Sequence, residues 1–178
     1  MIFGSRTVPL SEDDEWETPP KTTLDMVRLL PEGNQPVWEP FCGQTNQSVN
    51  TLRSEMIEVV YDPAQDFFAL AAPPPGVVVV TNPPFTRKID AVERLCMWGV
   101  PFVMLLPADA INQVAFHKRV ARTWGHDLQV VYPPHKVHFM KGGVVPLGKD
   151  GKPGKSPFHT IFLLFRCPIV ANVWLRDD

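Results

Sequence analysis

Four consecutive residues, Asn82-Pro83-Pro84-Phe85, follow a run of four valines and carry the groups needed for chemistry on an amine. Each proline fixes its own φ and has no N–H to donate, and the residue before a proline is restricted to extended backbone. The result is a stiff ledge of carbonyl oxygens between an amide side chain and an aromatic ring. Such a ledge can accept hydrogen bonds from an exocyclic amino group while the ring stacks on a planar base.

The ledge suggests chemistry on an amine. The Asn82 side-chain oxygen and the Pro83 carbonyl would accept both hydrogens of an exocyclic amino group and orient its lone pair. Phe85 would stack on a target base that is flipped out or already unpaired. The alternative is a turn that merely ends a strand, which a bare Pro-Pro pair would favour. The flanking amide and ring favour the chemical interpretation.

Three segments together resemble a known family. Asn82-Pro83-Pro84-Phe85 is similar to motif IV of the class I S-adenosylmethionine-dependent methyltransferases that modify exocyclic amines, above all the adenine-N6 enzymes. Upstream, Glu39-Pro40-Phe41-Cys42-Gly43 resembles their motif I, and Trp16-Glu17-Thr18-Pro19-Pro20 resembles their N-terminal Thr-Pro motif. The order of the motifs resembles that of small phage-type Dam-like DNA methyltransferases.

The resemblance implies S-adenosyl-L-methionine as cofactor and transfer of its methyl group to the exocyclic N6 amine of adenine in DNA. Two positions also have a physical argument: Gly43 permits a tight turn close to a ligand, and Asp62 at a strand end could accept both ribose hydroxyls. A plain turn before Pro63 explains Asp62 equally well. Core packing is the alternative for Phe67 and, more strongly, for Phe68. The expected cofactor-binding residues are Trp16, Thr18, Pro19, Glu39, Phe41, Gly43, Asp62, Asp66 and Phe67.

One departure from the family pattern keeps other functions open. The usual Gly-x-Gly is replaced by Gly43-Gln44-Thr45, where a side chain narrows the space for the cofactor unless the loop takes another path. A degenerate core that only binds nucleic acid or serves as a scaffold is therefore an alternative. Two further alternatives are methylation of adenine in RNA and methylation of a protein glutamine through a similar Asn-Pro-Pro-aromatic loop.

Basic residues predict where nucleic acid binds, with DNA favoured over RNA. Arg87 and Lys88 directly follow the catalytic loop, and a glycine-rich loop over 141–157 can follow a phosphate backbone. A basic cluster over 117–122 is interpreted as a solvated helix face. The chain has no room for a separate target-recognition domain, so a partner subunit could supply specificity. The lysines of the glycine-rich loop are Lys141, Lys149, Lys152 and Lys155.

Alternating strands and helices must position these residues, and they indicate an α/β fold. The expected architecture is a Rossmann-like class I methyltransferase sandwich with a mainly parallel central sheet and an antiparallel late strand. Its ligands should bind at the carboxyl ends of the strands. Strands are predicted at 37–41, 57–61, 77–80, 102–106, 128–132 and 160–165, with weaker candidates at 137–140 and 172–175. Helices are predicted from Thr22 and over 46–54, 87–98 and 108–124.

Length and charge limit the remaining possibilities. A chain of 178 residues suits one domain, here a catalytic domain over 16–178 that follows a mobile acidic arm over 1–15. A net charge of −2 excludes binding of nucleic acid through bulk positive charge. The cysteines and histidines have no zinc spacing, so no metal is expected. Without a long apolar run, a soluble intracellular protein that contacts no membrane is expected.

Overall fold

The computed structural model of the protein describes residues 16–148, 151–152 and 159–168. Four features predicted from the sequence lie outside the described residues. They are the acidic arm over 1–15, Lys149, Lys155 and the candidate strand over 172–175.

A single mixed sheet forms the centre of the described part of the chain. Five strands share one direction, and the last strand runs antiparallel to both of its neighbours. The strands are β1 (Val37–Trp38), β2 (Val59–Val60), β3 (Val78–Thr81), β4 (Phe102–Pro107), β5 (Leu128–Val131) and β6 (Thr160–Phe165). Their order is β2-β1-β3-β4-β6-β5. The predicted α/β class, the mainly parallel sheet and the antiparallel late strand are confirmed, and the arrangement is compatible with a Rossmann-like fold.

The strand order reverses at β1. This strand pairs in parallel with β2 on one side and with β3 on the other, so that Val37 lies opposite both Val59 and Val78. Chain connections leave β1 and β3 in opposite directions at this point, which opens a crevice beyond their carboxyl ends. The loops that follow β1, β2 and β3 converge on that crevice.

Both faces of the sheet are covered by apolar side chains. Alternate residues of a strand point to opposite faces, and accordingly Val79 and Phe102 belong to one buried cluster while Val78 and Val103 belong to the other. Burial on both faces explains why the long strands are apolar throughout. The described part contains no helix that is long and apolar enough to cross a bilayer.

The first three helices begin within two residues of the predicted positions. They are α1 (Pro20–Val27), α2 (Gln47–Ser54) and α3 (Lys88–Trp98). Helix α1 begins before the predicted Thr22, because Pro20 occupies the first helical position, where its fixed φ suits a helix and its missing N–H costs nothing.

The predicted helix over 108–124 is wrong in its first part. Ala108–Asn112 forms a 3₁₀ helix, and Gln113 is extended with φ −72° and ψ 137°. The Gln113 carbonyl accepts a hydrogen bond from His117 N–H at 3.2 Å, so the longer helix begins only after Gln113. This helix, α4 (114–124), consists of Val114–Phe116, a π-helical turn over His117–Ala121, and Arg122–Trp124.

Three predicted strands, β1, β2 and β5, are shorter than expected, and the candidate over 137–140 does not form. β1 ends at Trp38, since Pro40 has no N–H for a ladder. The segment 137–140 forms no regular strand. Its last residue, Met140, exchanges two backbone hydrogen bonds with Glu17, each 2.9 Å long. This bridge holds the N-terminal motif against the start of the glycine-rich loop.

Candidate functional site

A cavity of about 300 Å³ opens at the carboxyl ends of β1, β2 and β3, at the point where the strand order reverses. Its volume lies at the lower end of the range for ligand-binding sites. The loop over 40–44 forms one wall, and residues of the loop after β2 form another. Six of the predicted site residues line this cavity: Trp16, Phe41, Gly43, Asp62, Asn82 and Pro84.

Asn82 is fixed at the end of β3 in one orientation. Its Nδ2 donates a hydrogen bond to the Trp16 carbonyl at 3.0 Å. Its Oδ1 is buried and has no hydrogen-bond partner in the described part of the chain. An unsatisfied buried acceptor costs about 1–3 kcal/mol, and a donor bound in the cavity would remove this cost.

The rest of the ledge stands beside the cavity. Pro83 is buried and Pro84 lines the cavity wall. Phe85 is half-buried and does not belong to the cavity wall. Its ring meets that of Phe139 edge-on, with 5.9 Å between centroids. Stacking of Phe85 on a target base therefore stays a prediction.

Glu39 is buried outside the cavity wall and holds the loop after β1 in place. Its carboxylate is buried and accepts hydrogen bonds from the Phe41 N–H, at 3.0 Å, and from the Thr81 hydroxyl. Burial raises the pKa of Glu39 to about 7, and the hydrogen bonds only partly oppose this rise. The folded protein therefore keeps this proton at pH values where the unfolded chain has released it. Glu39 does not line the cavity, so in this structure it holds the loop after β1 in position.

Glu17 is a site residue that the sequence analysis does not single out. Its buried carboxylate accepts hydrogen bonds from Thr45 N–H (2.8 Å), from the Thr45 hydroxyl (2.7 Å) and from Gly143 N–H (2.9 Å). The Glu17 side chain thus joins the N-terminal motif to the loop after β1 and to the glycine-rich loop. In the sequence, the role of Glu17 is indicated only by its position, as an acidic residue between Trp16 and Thr18 in a motif whose other residues suit burial.

The departure from Gly-x-Gly is accommodated by Glu17. Both donors of Thr45 face the Glu17 carboxylate, and Thr45 does not line the cavity. Gly43 adopts φ 68°, and a β-carbon there would lie 3.3 Å from Glu17 Cγ and Oε1. The loop takes a path on which the Thr45 side chain does not line the cavity, whereas Gln44 does.

Asp62 forms a turn and also lies at the cavity wall, while its contact with ribose hydroxyls stays a prediction. Its Oδ1 accepts a hydrogen bond from Ala64 N–H at 2.9 Å, which makes a turn. Its side chain is also exposed at the cavity wall, together with Gln65, which the sequence analysis did not predict. The turn therefore presents the carboxylate to the cavity.

Asp66 and Phe67 lie away from the cavity wall. The Asp66 carboxylate accepts a hydrogen bond from Phe68 N–H at 2.9 Å and caps the short 3₁₀ helix Phe67–Ala69. Phe67 is 3% exposed, and its ring centroid lies 4.7 Å from that of Phe41. Phe67 is the core residue of the pair and Phe68 is only half-buried, the reverse of the sequence prediction. The intervening Phe41 ring separates Phe67 from the cavity.

Thr18 and Pro19 occupy the interior side of the site. Thr18 is buried, and its Oγ1 has no hydrogen-bond partner among the described residues. It lines a side chamber of about 10 Å³ together with Asn82 and Phe41. That chamber is about the size of one water molecule. Pro19 precedes α1, and its carbonyl accepts a hydrogen bond from Thr23 N–H at 3.0 Å.

The predicted nucleic-acid contacts after β3 make internal contacts. The Arg87 guanidinium lies 3.4 Å from the centroid of the Phe68 ring, and Lys88 Nζ donates to the Phe85 carbonyl at 2.9 Å. In the glycine-rich loop, Lys141 Nζ lies 5.5 Å from the centroid of the Trp16 ring, whose residue lines the cavity. Lys152 is exposed. All four residues remain predictions as nucleic-acid contacts.

The predicted solvated face of α4 pairs with α3. Arg119 forms ion pairs with Asp90, at 2.8 Å, and with Glu93. These neighbours occupy the Arg119 guanidinium, which supports the surface interpretation of the 117–122 cluster.

No protein-family model and no curated protein matches this chain. Across the ranges 16–148, 151–152 and 159–168, no three His, Cys, Asp or Glu side chains are grouped so as to hold a metal ion.

Proposed function

We propose that the chain is an S-adenosylmethionine-dependent methyltransferase that methylates the exocyclic N6 amine of adenine in DNA. The observation that carries the proposal is that Asn82 lines the same cavity as Gly43 and Asp62. Methyl transfer to an amine is a direct displacement, so the amine acceptors must stand beside the cofactor pocket, with reacting atoms about 3–3.5 Å apart. The position at the reversal of strand order also suits a nucleoside-containing ligand.

The residues of the cavity fit this cofactor. Asp62 would accept its ribose hydroxyls, Gly43 would let the backbone approach it closely, and Phe41 would form an apolar wall. The orientation of Thr45 towards Glu17 supports an active site, because the threonine occupies none of this space. When bound, S-adenosylmethionine supplies an electrophilic methyl group on a positively charged sulfonium.

The ledge would prepare the target amine. Asn82 Oδ1, which lacks a partner in the described part, and the Pro83 carbonyl would accept the two amine hydrogens. Acceptors fixed in advance stabilise the positive charge that develops on the nitrogen, and they cost no reorganisation during the reaction. The extra proton can leave to solvent afterwards, so no basic side chain is required. Phe85 would stack on the extruded adenine.

The proposal is tested by binding and by transfer. Calorimetry should detect S-adenosylmethionine binding, and radiolabelled methyl groups should appear on adenine in oligonucleotides. Asn82→Ala should lower transfer about 10²–10³-fold, as for loss of one preorganised polar contact, with little change in cofactor affinity. Asn112→Ala, which changes an exposed asparagine in a 3₁₀ helix, is the matched control.

Each negative result removes a different part of the proposal. Absence of cofactor binding would overturn the enzymatic function. Cofactor binding with label on no polynucleotide would overturn the substrate class. Label on RNA alone, or on protein glutamine, would replace DNA by that substrate.

A further inference from the structure

A second cavity, of about 370 Å³, lies at the end of β5 where β6 begins. Its walls come from the segment 132–137 and from residues 159 and 160. Because β5 is parallel to β1 and β3, this cavity opens on the same edge of the sheet as the candidate active site. The two cavities share no lining residue.

One side of the second cavity carries nitrogen-containing side chains from separate parts of the chain. Among the described residues, His135, Lys136 and His159 line it, and no carboxylate does. Lys21 of α1 adds a further ammonium group, whose Nζ lies 3.3 Å from His135 Nδ1. On the other side of this ring, His135 Nε2 lies 3.8 Å from the buried Asp25 carboxylate. Both ring nitrogens of His135 thus face other side chains, so the donors that an anion requires come from Lys136 and His159.

The remaining wall is flat and mostly apolar. Tyr132, Pro133 and Pro134 follow β5 directly and line the cavity. Two consecutive prolines make this wall rigid, as they do in the ledge after β3. A phosphate group alone would leave most of the volume empty, whereas a phosphate with its attached sugar and base would use the apolar wall as well.

We propose that the second cavity binds one nucleotide of the nucleic-acid strand that the active site methylates. Its phosphate would contact Lys136 and His159, and its base or sugar would lie against Tyr132. Contacts of this kind set the register of a strand on a protein. They would lay the strand along the sheet edge towards Asn82 and supply local positive charge to a protein whose net charge is −2. The inference rests on the proposed function in taking nucleic acid as the substrate.

The test compares two lysines of the full-length chain. Lys136→Gln removes a charge from the cavity, and Lys118→Gln makes the same change on the exposed face of α4. Fluorescence anisotropy with a labelled single-stranded DNA oligonucleotide gives Kd at several salt concentrations. Lys136→Gln should weaken binding severalfold and reduce the slope of log Kd against log salt by about 0.7, the value for one phosphate contact. Lys118→Gln should change neither.

A second variant addresses the apolar wall. Tyr132→Leu should weaken binding about tenfold, within the range for loss of one base–aromatic contact, and leave the salt slope unchanged. Circular dichroism checks that the variant is folded. If it is not, the Lys136→Gln result alone decides, because it tests the cavity without altering the ring.

The outcomes separate this inference from the proposed function. Equal Kd and slope for Lys136→Gln and Lys118→Gln, in a protein that transfers methyl groups, would overturn the inference alone. A reduced slope for Lys136→Gln in a protein that transfers none would support the inference and overturn the proposed function. If Lys136→Gln lost affinity for deoxyadenosine monophosphate but not for the oligonucleotide, the cavity would take a free nucleotide and the strand claim would fall.

Discussion

Glu17 should stabilise the site more than any single exposed charge, and Glu17→Gln is the sharpest test of this. The carboxylate is buried and accepts three hydrogen bonds from two loops that are almost a hundred residues apart in sequence. Glutamine keeps the shape of the side chain and one acceptor oxygen. It replaces the second oxygen by an amide that cannot accept from Gly143 N–H.

The expected loss follows from the three hydrogen bonds. A bond to a charged acceptor contributes about 1.5–3 kcal/mol, and a neutral bond about 0.5–1.5 kcal/mol. Glu17→Gln loses the Gly143 bond and reduces both Thr45 bonds to neutral strength. Because such losses are not additive among neighbours, we expect about 3 kcal/mol less unfolding free energy. For a chain of this size that lowers Tm by about 6–12 °C.

Urea denaturation and thermal melting measure this loss. Glu32→Gln, the same change at an exposed position, should stay within about 0.5 kcal/mol of the wild type. Thr45→Val removes the hydroxyl but keeps the backbone N–H, so a double-mutant cycle with Glu17→Gln should give a coupling energy of about 1 kcal/mol or more. A Glu17→Gln protein as stable as the Glu32→Gln protein would refute the reasoning.

Three further perturbations have defined outcomes. Gly43→Ala places a β-carbon at φ 68° against Glu17. Calorimetry should therefore show weaker S-adenosylmethionine binding, and urea denaturation should show an unfolding free energy lower by about 1–2 kcal/mol. Wild-type values in both measurements would contradict this. Because the pKa of Glu39 is raised from 4.5 to about 7, unfolding free energy should fall by about 3 kcal/mol as pH rises through that window and stay level above it. Glu39→Gln should abolish that fall, and an unchanged profile would assign the titration to another group. Arg119→Ala breaks exposed ion pairs and should cost less than about 1 kcal/mol, with oligonucleotide affinity unchanged; weaker binding would show that α4 contacts nucleic acid.

The long apolar strands were predictable because a strand that is buried on both faces is an uninterrupted run of apolar residues. β6 (Thr160–Phe165) has the predicted bounds, and β4 extends one residue beyond its prediction. β1 and β2 are each two residues long, since their extent depends on pairing with neighbours and on Pro40, not on their own β propensity. At Gln113, hydrophobic periodicity continues through a break that only backbone hydrogen bonding reveals.

The parts of the site that follow strand ends were also predictable. Gly43, Asp62 and Asn82 come together because the carboxyl ends of parallel strands meet at one edge. Glu17 was not predictable, because its partner Gly143 lies far along the chain and no local pattern links the two. Which of Phe67 and Phe68 is buried is likewise decided by tertiary packing, because two neighbouring phenylalanines cannot be distinguished from sequence alone.

Thr45 shows how a departure from a motif should be judged. Considered alone, a threonine at a glycine position fills the space that a ligand needs. In this chain its N–H and hydroxyl both donate to the buried Glu17 carboxylate, and its side chain does not line the cavity. The two residues therefore form one unit, and the effect of either depends on the other. In this chain, therefore, the loss of the second glycine places no threonine side chain in the cavity wall.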